Sequence, residues 1–198
     1  TTYNSINSSG STNVFKFSNT PAFDADTCQD HSNIPGSHFA WVDGSNSDTI
    51  NTGIVVSLET GNINVSALQS VVLQFYLFSY NVTYSSDGYN KFYVDYYDGN
   101  QWNDSVFVYS GTSSTPIWQN KSVDLSSYPT QGNVKFRFNV LKAVASPWYN
   151  DIAIDDIIVL DTCTAPFFIS ADSVNANTIY TSFNPSGSGA GIIEYGLS

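Results

Sequence analysis

Positive charge is scarce in this chain. Six of 198 residues are basic (Lys16, Lys91, Lys121, Lys135, Arg137 and Lys142), 17 are acidic, and the net charge is −11. Neutralising nucleic-acid phosphates takes a stripe of Lys and Arg, and holding an anionic membrane surface takes a similar cluster, so neither partner is expected. Charge of either sign makes up only 12% of the chain, about half the usual share. Ser, Thr and Asn supply the polarity instead, a surface that suits a secreted protein. The acidic excess leaves open metal cations, basic partners, or a solvated surface that keeps the protein soluble.

Methionine is absent, which points to a piece processed or excised from a longer protein. There is no charged-then-apolar leader and no run of about 18 apolar residues, so direct membrane insertion is not expected. The two cysteines, Cys28 and Cys163, belong to no C-x-x-C pair, so a cysteine zinc site is not supported. In an oxidising compartment they can form one long-loop disulfide, worth at most about 5 kcal/mol in the chain-entropy account; two buried free thiols are the other reading. The histidines are His31 and His38 alone, and no Gly-x-Ser-x-Gly elbow, phosphate-binding loop or His-Glu-x-x-His occurs. The expectation is therefore no enzyme, although a triad assembled in space leaves no local trace.

What the chain does have is apolar and aromatic matter, 41% and 15% of residues, arranged for strands. Val134, Phe136, Phe138 and Val140 alternate with Lys135, Arg137 and Asn139, the pattern of a half-buried antiparallel strand. Residues 92–97 alternate less cleanly and end at Asp98-Gly99, a tight-turn dipeptide, with Trp102 and residues 106–108 starting the return strand. Residues 71–78 are apolar at nearly every position, as expected of a strand covered on both faces in a two-sheet sandwich. Residues 54–58 and 152–160 are further strands, and residues 66–70 at most one short turn. Short strands separated by Gly, Pro, Asn and Ser predict an all-β jelly roll or β-sandwich over residues 1–161. Past Cys163-Thr-Ala-Pro166 a new pattern begins, with strands expected at 167–169, 178–183 and 192–195. The stretch 162–198 is too short to close a core of its own.

These residues carry a resemblance. Asp30-His31-Ser32, the strand after Gly36, Leu73-Gln-Phe-Tyr-Leu-Phe78, Phe92-Tyr-Val-Asp95, Ser110-Gly111 before Trp118, and above all Asn150-Asp-Ile-Ala-Ile-Asp-Asp-Ile157 follow the order of motifs in a MAM domain. The chain is similar to the versions on secreted and surface proteins of Bacteroidota, often exported by type IX secretion. It has two cysteines where vertebrate forms have four. Residues 162–198 resemble the first part of a fibronectin type III domain, with Phe183 at a core-Trp position and Ile193-Glu-Tyr-Gly196 as a strand. The resemblance implies an extracellular or cell-surface location, neighbouring domains in the same chain, and other surface proteins or glycans as partners.

Three sets of candidate site residues follow. Asp24, Asp26 and Asp30 lie in one loop-like stretch, and in jelly-roll relatives a structural calcium is held between such a segment and an aspartate of the last strand. The resemblance makes Asp155 or Asp156 that late ligand, with Ca2+ the one expected cofactor. Strand alternation puts Asp155 and Asp156 on opposite faces, which argues against a glycosidase pair, and puts Asp156 on a buried face with Ile152, Ile154 and Ile158. A cation could partner a buried carboxylate there; backbone and hydroxyl hydrogen bonds are the other reading. Tyr93, Tyr97, Trp102, Trp148 and Tyr149 are candidates for a sugar-stacking platform, or Trp102, Trp118 and Trp148 plug the core or its rim. Thr49, Ser105 and Ser173 each follow Asp and precede an apolar residue, the form of O-glycan acceptor sites in Bacteroidota. The leading expectation is a non-catalytic adhesion or interaction module; a carbohydrate-binding module appended to a secreted enzyme and a spacer in a surface filament are the alternatives.

Overall fold

The structure is a computed structural model, and it describes residues 3–7, 15–19, 28–32, 34–42, 55–81, 91–109, 117–129, 132–141, 150–161, 167–174 and 179–184. In chain order the strands are β1 (Tyr3–Asn7), β2 (Lys16–Ser18), β3 (Phe39–Val42), β4 (Val55–Thr60), β5 (Ile63–Asn64), β6 (Val71–Asn81), β7 (Lys91–Tyr97), β8 (Trp102–Tyr109), β9 (Gln119–Asp124), β10 (Asn133–Leu141), β11 (Asn150–Asp161), β12 (Phe167–Val174) and β13 (Ile179–Asn184). No helix occurs among the described residues. The fold is an all-β jelly-roll sandwich of two sheets. The chain divides into two compact units, Thr1–Leu160 and Asp161–Ser198. The second contains the antiparallel pair β12–β13; the strand expected at 192–195 lies outside the described residues.

In the first unit one sheet runs β1-β4-β10-β7-β8, with β5 also paired to β10, and the other runs β2-β3-β11-β6-β9. Alternation decides which side chains lie between them. Val56 and Leu58 of β4, Phe92, Val94 and Tyr96 of β7, and Phe136, Phe138 and Val140 of β10 meet Leu73, Phe75 and Leu77 of β6 and Ile152 and Ile154 of β11 in one buried cluster. Phe75 bridges the sheets. Its ring centroid lies 5.8 Å from Phe92, 5.6 Å from Phe107 and 5.5 Å from Phe138, with the last two edge-on, the geometry that ring quadrupoles favour.

β6 is buried on its core face and partly covered on the other, where its run of apolar residues predicts cover on both, and the second cover is not a sheet. Phe78 turns away from the main core into a smaller cluster with Cys28, Phe39, Trp41 and Ala153, and Tyr80 and Trp118 pack against it. The segment around Cys28 supplies this lid. Trp118 therefore belongs to the rim of that cluster, as one of the two sequence readings has it.

The edge strand β9 carries an inward cation. Lys121 pairs with Phe75 across the ladder and so points to the core side. Its Nζ lies 4.8 Å from the Tyr109 ring centroid on β8 and donates to Gln119 Oε1 at 2.7 Å. Burial holds its pKa below the ordinary lysine value. An inward charge is a recognised protection of an exposed sheet edge. Two outcomes are expected. Phe75→Ala should cost about 3–5 kcal/mol in urea unfolding, a small loss arguing against its bridging role. Lys121→Val should raise the molar mass in light scattering as concentration rises; a mass identical to that of the unsubstituted protein would refute the edge-protection role.

Candidate ligand-binding face

The same alternation that fills the core sends a second set of side chains to the other face of the six-stranded sheet. β7 contributes Tyr93, Asp95 and Tyr97, β10 contributes Lys135, Arg137 and Asn139, and β4 contributes Ser57 and Glu59. Register aligns them in rows, with Arg137 between Glu59 and Asp95, and Asn139 between Ser57 and Tyr93. Trp102 of β8 stands opposite Tyr97, their ring centroids 5.4 Å apart.

The floor of this face is a buried polar relay. Ser57 Oγ donates to Asn139 Oδ1 at 2.6 Å, Asn139 Nδ2 donates to Asp95 Oδ2 at 2.8 Å, and the Ser105 amide donates to Asp95 Oδ1 at 2.8 Å. Asp95 and Asn139 are 5% and 2% exposed, so these bonds replace the water the two groups lose. The relay also explains an irregularity in β8. Asp104, Ser105 and Val106 stand where Asp95 alone stands on β7. Ser105 adopts φ 55°, and Asp95 accepts the amide that this bulge removes from the ladder.

Above the floor lie rings and charges. The Arg137 guanidinium stacks 4.0 Å from the Trp102 ring centroid, and its Nη2 and Nε reach Glu59 Oε2 at 3.0 and 3.3 Å. Lys135 Nζ reaches Glu59 Oε1 at 3.2 Å. Lys91 Nζ lies 5.7 Å from the Tyr93 ring centroid. Burial pushes the Tyr93 phenol above its ordinary pKa, Asp95 and Asp104 add to this, and Arg137 opposes it. The loop joining β7 to β8 is not a two-residue turn: Tyr97 pairs with Trp102, leaving four residues between them. Asp98 organises it, because its Oδ1 accepts the amides of Asn100 and Gln101, its Oδ2 accepts Asn103 Nδ2, and its own amide donates to Gln101 O at 3.1 Å. Gly99 takes φ 99°, a conformation open to glycine at no steric cost. Burial alone would raise the Asp98 pKa, but these hydrogen bonds outweigh it and hold the carboxyl below its ordinary value.

A second constellation occupies the outer face of the other sheet. The His31 ring stacks on Tyr76 with centroids 3.5 Å apart. Its Nδ1 lies 2.7 Å from Asp156 Oδ2, and its amide donates to Asp155 Oδ2 at 2.9 Å. Trp118 Nε1 donates to Gln29 O at 2.8 Å. Asp155 and Asp156 thus reach the same residue, which corrects the expectation that they point to opposite faces. Asp156 adopts φ 47° and its amide donates to Asp155 Oδ1 at 2.8 Å, so the alternation of β11 breaks there. Past the break Ile157 and Val159 pack against the core and Ile158 is exposed, so neither Asp156 nor Ile158 shares the buried face of Ile152 and Ile154. Burial raises the Asp155 pKa, the His31 and Asp156 amides lower it, and the Asp156 and Asp30 charges raise it. Ser32 Oγ engages Asp30 Oδ1, not the imidazole.

Of the expected site residues, Tyr93, Tyr97 and Trp102 come together on one sheet face, while Trp148 and Tyr149 lie outside the described residues. Asp30, Asp155 and Asp156 come together around His31; Asp24 and Asp26 lie outside the described residues, and among those described no group of three or more His, Cys, Asp or Glu is gathered as metal ligands. Cys28 is a buried free thiol, its pKa pushed up to about 12 by burial and then by the Asp155 and Asp151 charges; Cys163 lies outside the described residues. Ser105 is exposed at its bulge, Ser173 lies on β12 beside Tyr180, and Thr49 lies outside the described residues. Arg137, Glu59, Asp95 and Asn139 stand on the same face as these rings and are not among the expected site residues. The polar side of the alternating β10 strand signals Arg137 and Asn139.

No family model and no curated protein matches the chain, MAM and fibronectin type III families included. Solved structures do resemble it. The K1 cleaved adhesin domain of Lys-gingipain from Porphyromonas gingivalis is 14% identical with a TM-score of 0.55, covering 81% of this chain and 90% of that one. The K3 cleaved adhesin domain of the same protein is 12% identical with a TM-score of 0.51, covering 80% and 91%. A family 61 carbohydrate-binding module solved with β-1,4-galactotriose is 13% identical with a TM-score of 0.48, covering 80% and 88%. At these identities the adhesin likeness shows the β-sandwich fold.

Two results are expected from this geometry. Asn139→Leu strips partners from Asp95 and Ser57 and should cost about 1–3 kcal/mol in urea unfolding; wild-type stability would contradict the relay. Asp98 has a folded pKa below its unfolded one, so its stabilisation is complete above the unfolded value and is lost as pH falls through the folded value. Asp98→Asn should therefore lower stability at neutral pH, and the deficit should vanish in acid below both values; a deficit constant with pH would contradict that assignment.

Proposed function

We propose that this chain is a non-catalytic extracellular binding module of a larger secreted or cell-surface protein, and that the outer face of its six-stranded sheet binds a glycan. One observation carries this reading: Tyr93, Tyr97 and Trp102 stand beside Arg137, Lys135 and the Ser57–Asn139–Asp95 relay on one rigid sheet face. Aromatic rings give apolar contact to a sugar face, and fixed donors and acceptors give it orientation. Placement on paired strands, with the relay locking the rotamers beneath, holds these groups in register without a ligand. An adhesin domain shares the fold, which makes a non-catalytic role compatible with the architecture; the ligand rests on the face alone. The ordered motifs support a MAM-like domain over 1–161 and a fibronectin-like start over 162–198.

Calcium as a structural ion is part of the same proposal. Asp30, Asp155 and Asp156 carry hard oxygen donors, not gathered as a ligand set in the described arrangement, and repulsion from the Asp156 and Asp30 charges contributes to the raised Asp155 pKa. A cation would relieve that repulsion, and Asp24 and Asp26 would complete the set.

Binding is tested on a glycan array with the chain 1–198, unsubstituted and as Trp102→Ala and Tyr93→Ala. A hit weakened at least about tenfold by either substitution is expected. A blank from folded protein would leave a protein ligand or a spacer role in its place. For calcium, chelation should lower the thermal midpoint and added calcium restore it, with Asp155→Asn insensitive to both; an unchanged midpoint on chelation ends the calcium proposal.

A further inference from the structure

The charges on the candidate face are stratified, and this bears on which glycans it selects. Three of the chain's six basic residues, Lys91, Lys135 and Arg137, stand on it, although the chain as a whole carries −11. The carboxylates that accompany them lie deeper. The Glu59 side chain is 13% exposed against 32% for Lys135 and 30% for Arg137, and Asp95 is 5% exposed with its oxygens taken by Asn139 and Ser105. Asp104 is the exposed acid at the β8 edge of the face. Away from that edge, a ligand approaching from solvent meets Lys135 and Arg137 before it meets the Glu59 and Asp95 carboxylates beneath them. Coulomb attraction at short range in a partly desolvated site outweighs that of screened, distant charge.

Building on the glycan reading, we infer that the face selects anionic glycans, with Arg137 and Lys135 pairing the ligand's acidic groups while its sugar rings lie against Tyr93 and Trp102. Glu59 then acts as a placeholder. It holds Arg137 against the Trp102 ring and Lys135 beside it, so both cations are set in place before the ligand arrives, and a ligand carboxylate or sulfate competes with Glu59 for the same donors. A guanidinium stacked on an indole keeps in-plane N–H groups free to bind an oxyanion.

The test is calorimetry on the chain 1–198 with three probes: a hexagalacturonide, its carboxyl-reduced neutral counterpart, and a heparin hexasaccharide. At least one anionic probe should bind about tenfold or more tightly than the neutral one, the advantage shrinking as salt rises. The carboxylated and sulfated arms tell which acidic group is preferred. Lys135→Gln and Arg137→Gln should each erase most of the advantage. Glu59→Gln should strengthen anionic binding about threefold, because it removes the competitor; each variant is first shown folded by its thermal transition. Equal or tighter binding of the neutral probe overturns the charge selection and leaves the glycan reading standing. No binding of any probe, alongside a blank glycan array, overturns both.

Discussion

β10 sits hydrogen-bonded between β4 and β7, and the register of that strand governs both faces of its sheet. With Phe138 opposite Val94 and Leu58, Phe136, Phe138 and Val140 go to the core, and Lys135, Arg137 and Asn139 go to the other side. A slip of one residue would drive Arg137 into the ring cluster around Phe75 and strand Phe138 in solvent. The core therefore fixes the candidate face: apolar burial, at about 25 cal/mol per Å², holds the register, and the register places Arg137 against Glu59 and Asn139 against Ser57. The relay and the ion pairs refine an arrangement that packing has already chosen. This agrees with the modest net worth of half-exposed ion pairs.

Two residues depart from that regularity, and both departures are tied down by aspartate. Ser105 and Asp156 are the non-glycine residues with positive φ among those described, a conformation costing on the order of 1–3 kcal/mol. At Ser105 the Asp95 carboxylate accepts the displaced amide. At Asp156 the preceding Asp155 carboxylate does the same, and His31 engages both side chains. Each bulge re-aims the strand where a surface constellation is built: the β8 bulge beside the ring face, the β11 break beneath the Cys28 segment.

The strands of the core were legible because their signal is local. The alternation of Val134, Phe136, Phe138 and Val140 matches their burial, and the apolar run of 71–78 does form a strand, buried on its core face and partly covered on the other. What covers its outer face was not legible, since the lid comes from residues more than 40 positions away and polar enough to read as a loop. Asp155 and Asp156 show the limit of period-two reasoning. A left-handed residue shifts the phase of every position after it, so Ile157 and Val159 turn, partly buried, toward the core where Ile158 was expected. Tyr93, Tyr97 and Trp102 could be picked as aromatics near one turn. Asp95 and Asn139 could not be separated from ordinary outward polar residues, because the burial of each depends on partners on two other strands.

The two outer faces of the sandwich also meet different fates, for a reason visible in their side chains. Phe39, Trp41, Phe78 and Trp118 would leave a wide apolar patch in water, and the segment bearing Cys28 and His31 closes over it, the His31 ring stacked on Tyr76 and Trp118 tied to Gln29. The opposite face has no such need. Its carboxylates and amides satisfy one another within the sheet, and its half-buried rings are flanked by cations. Covering that face would require desolvating Lys135 and Arg137, a cost that only a partner with matching acceptors offsets. The charges on this face thus restrict which partner can cover it.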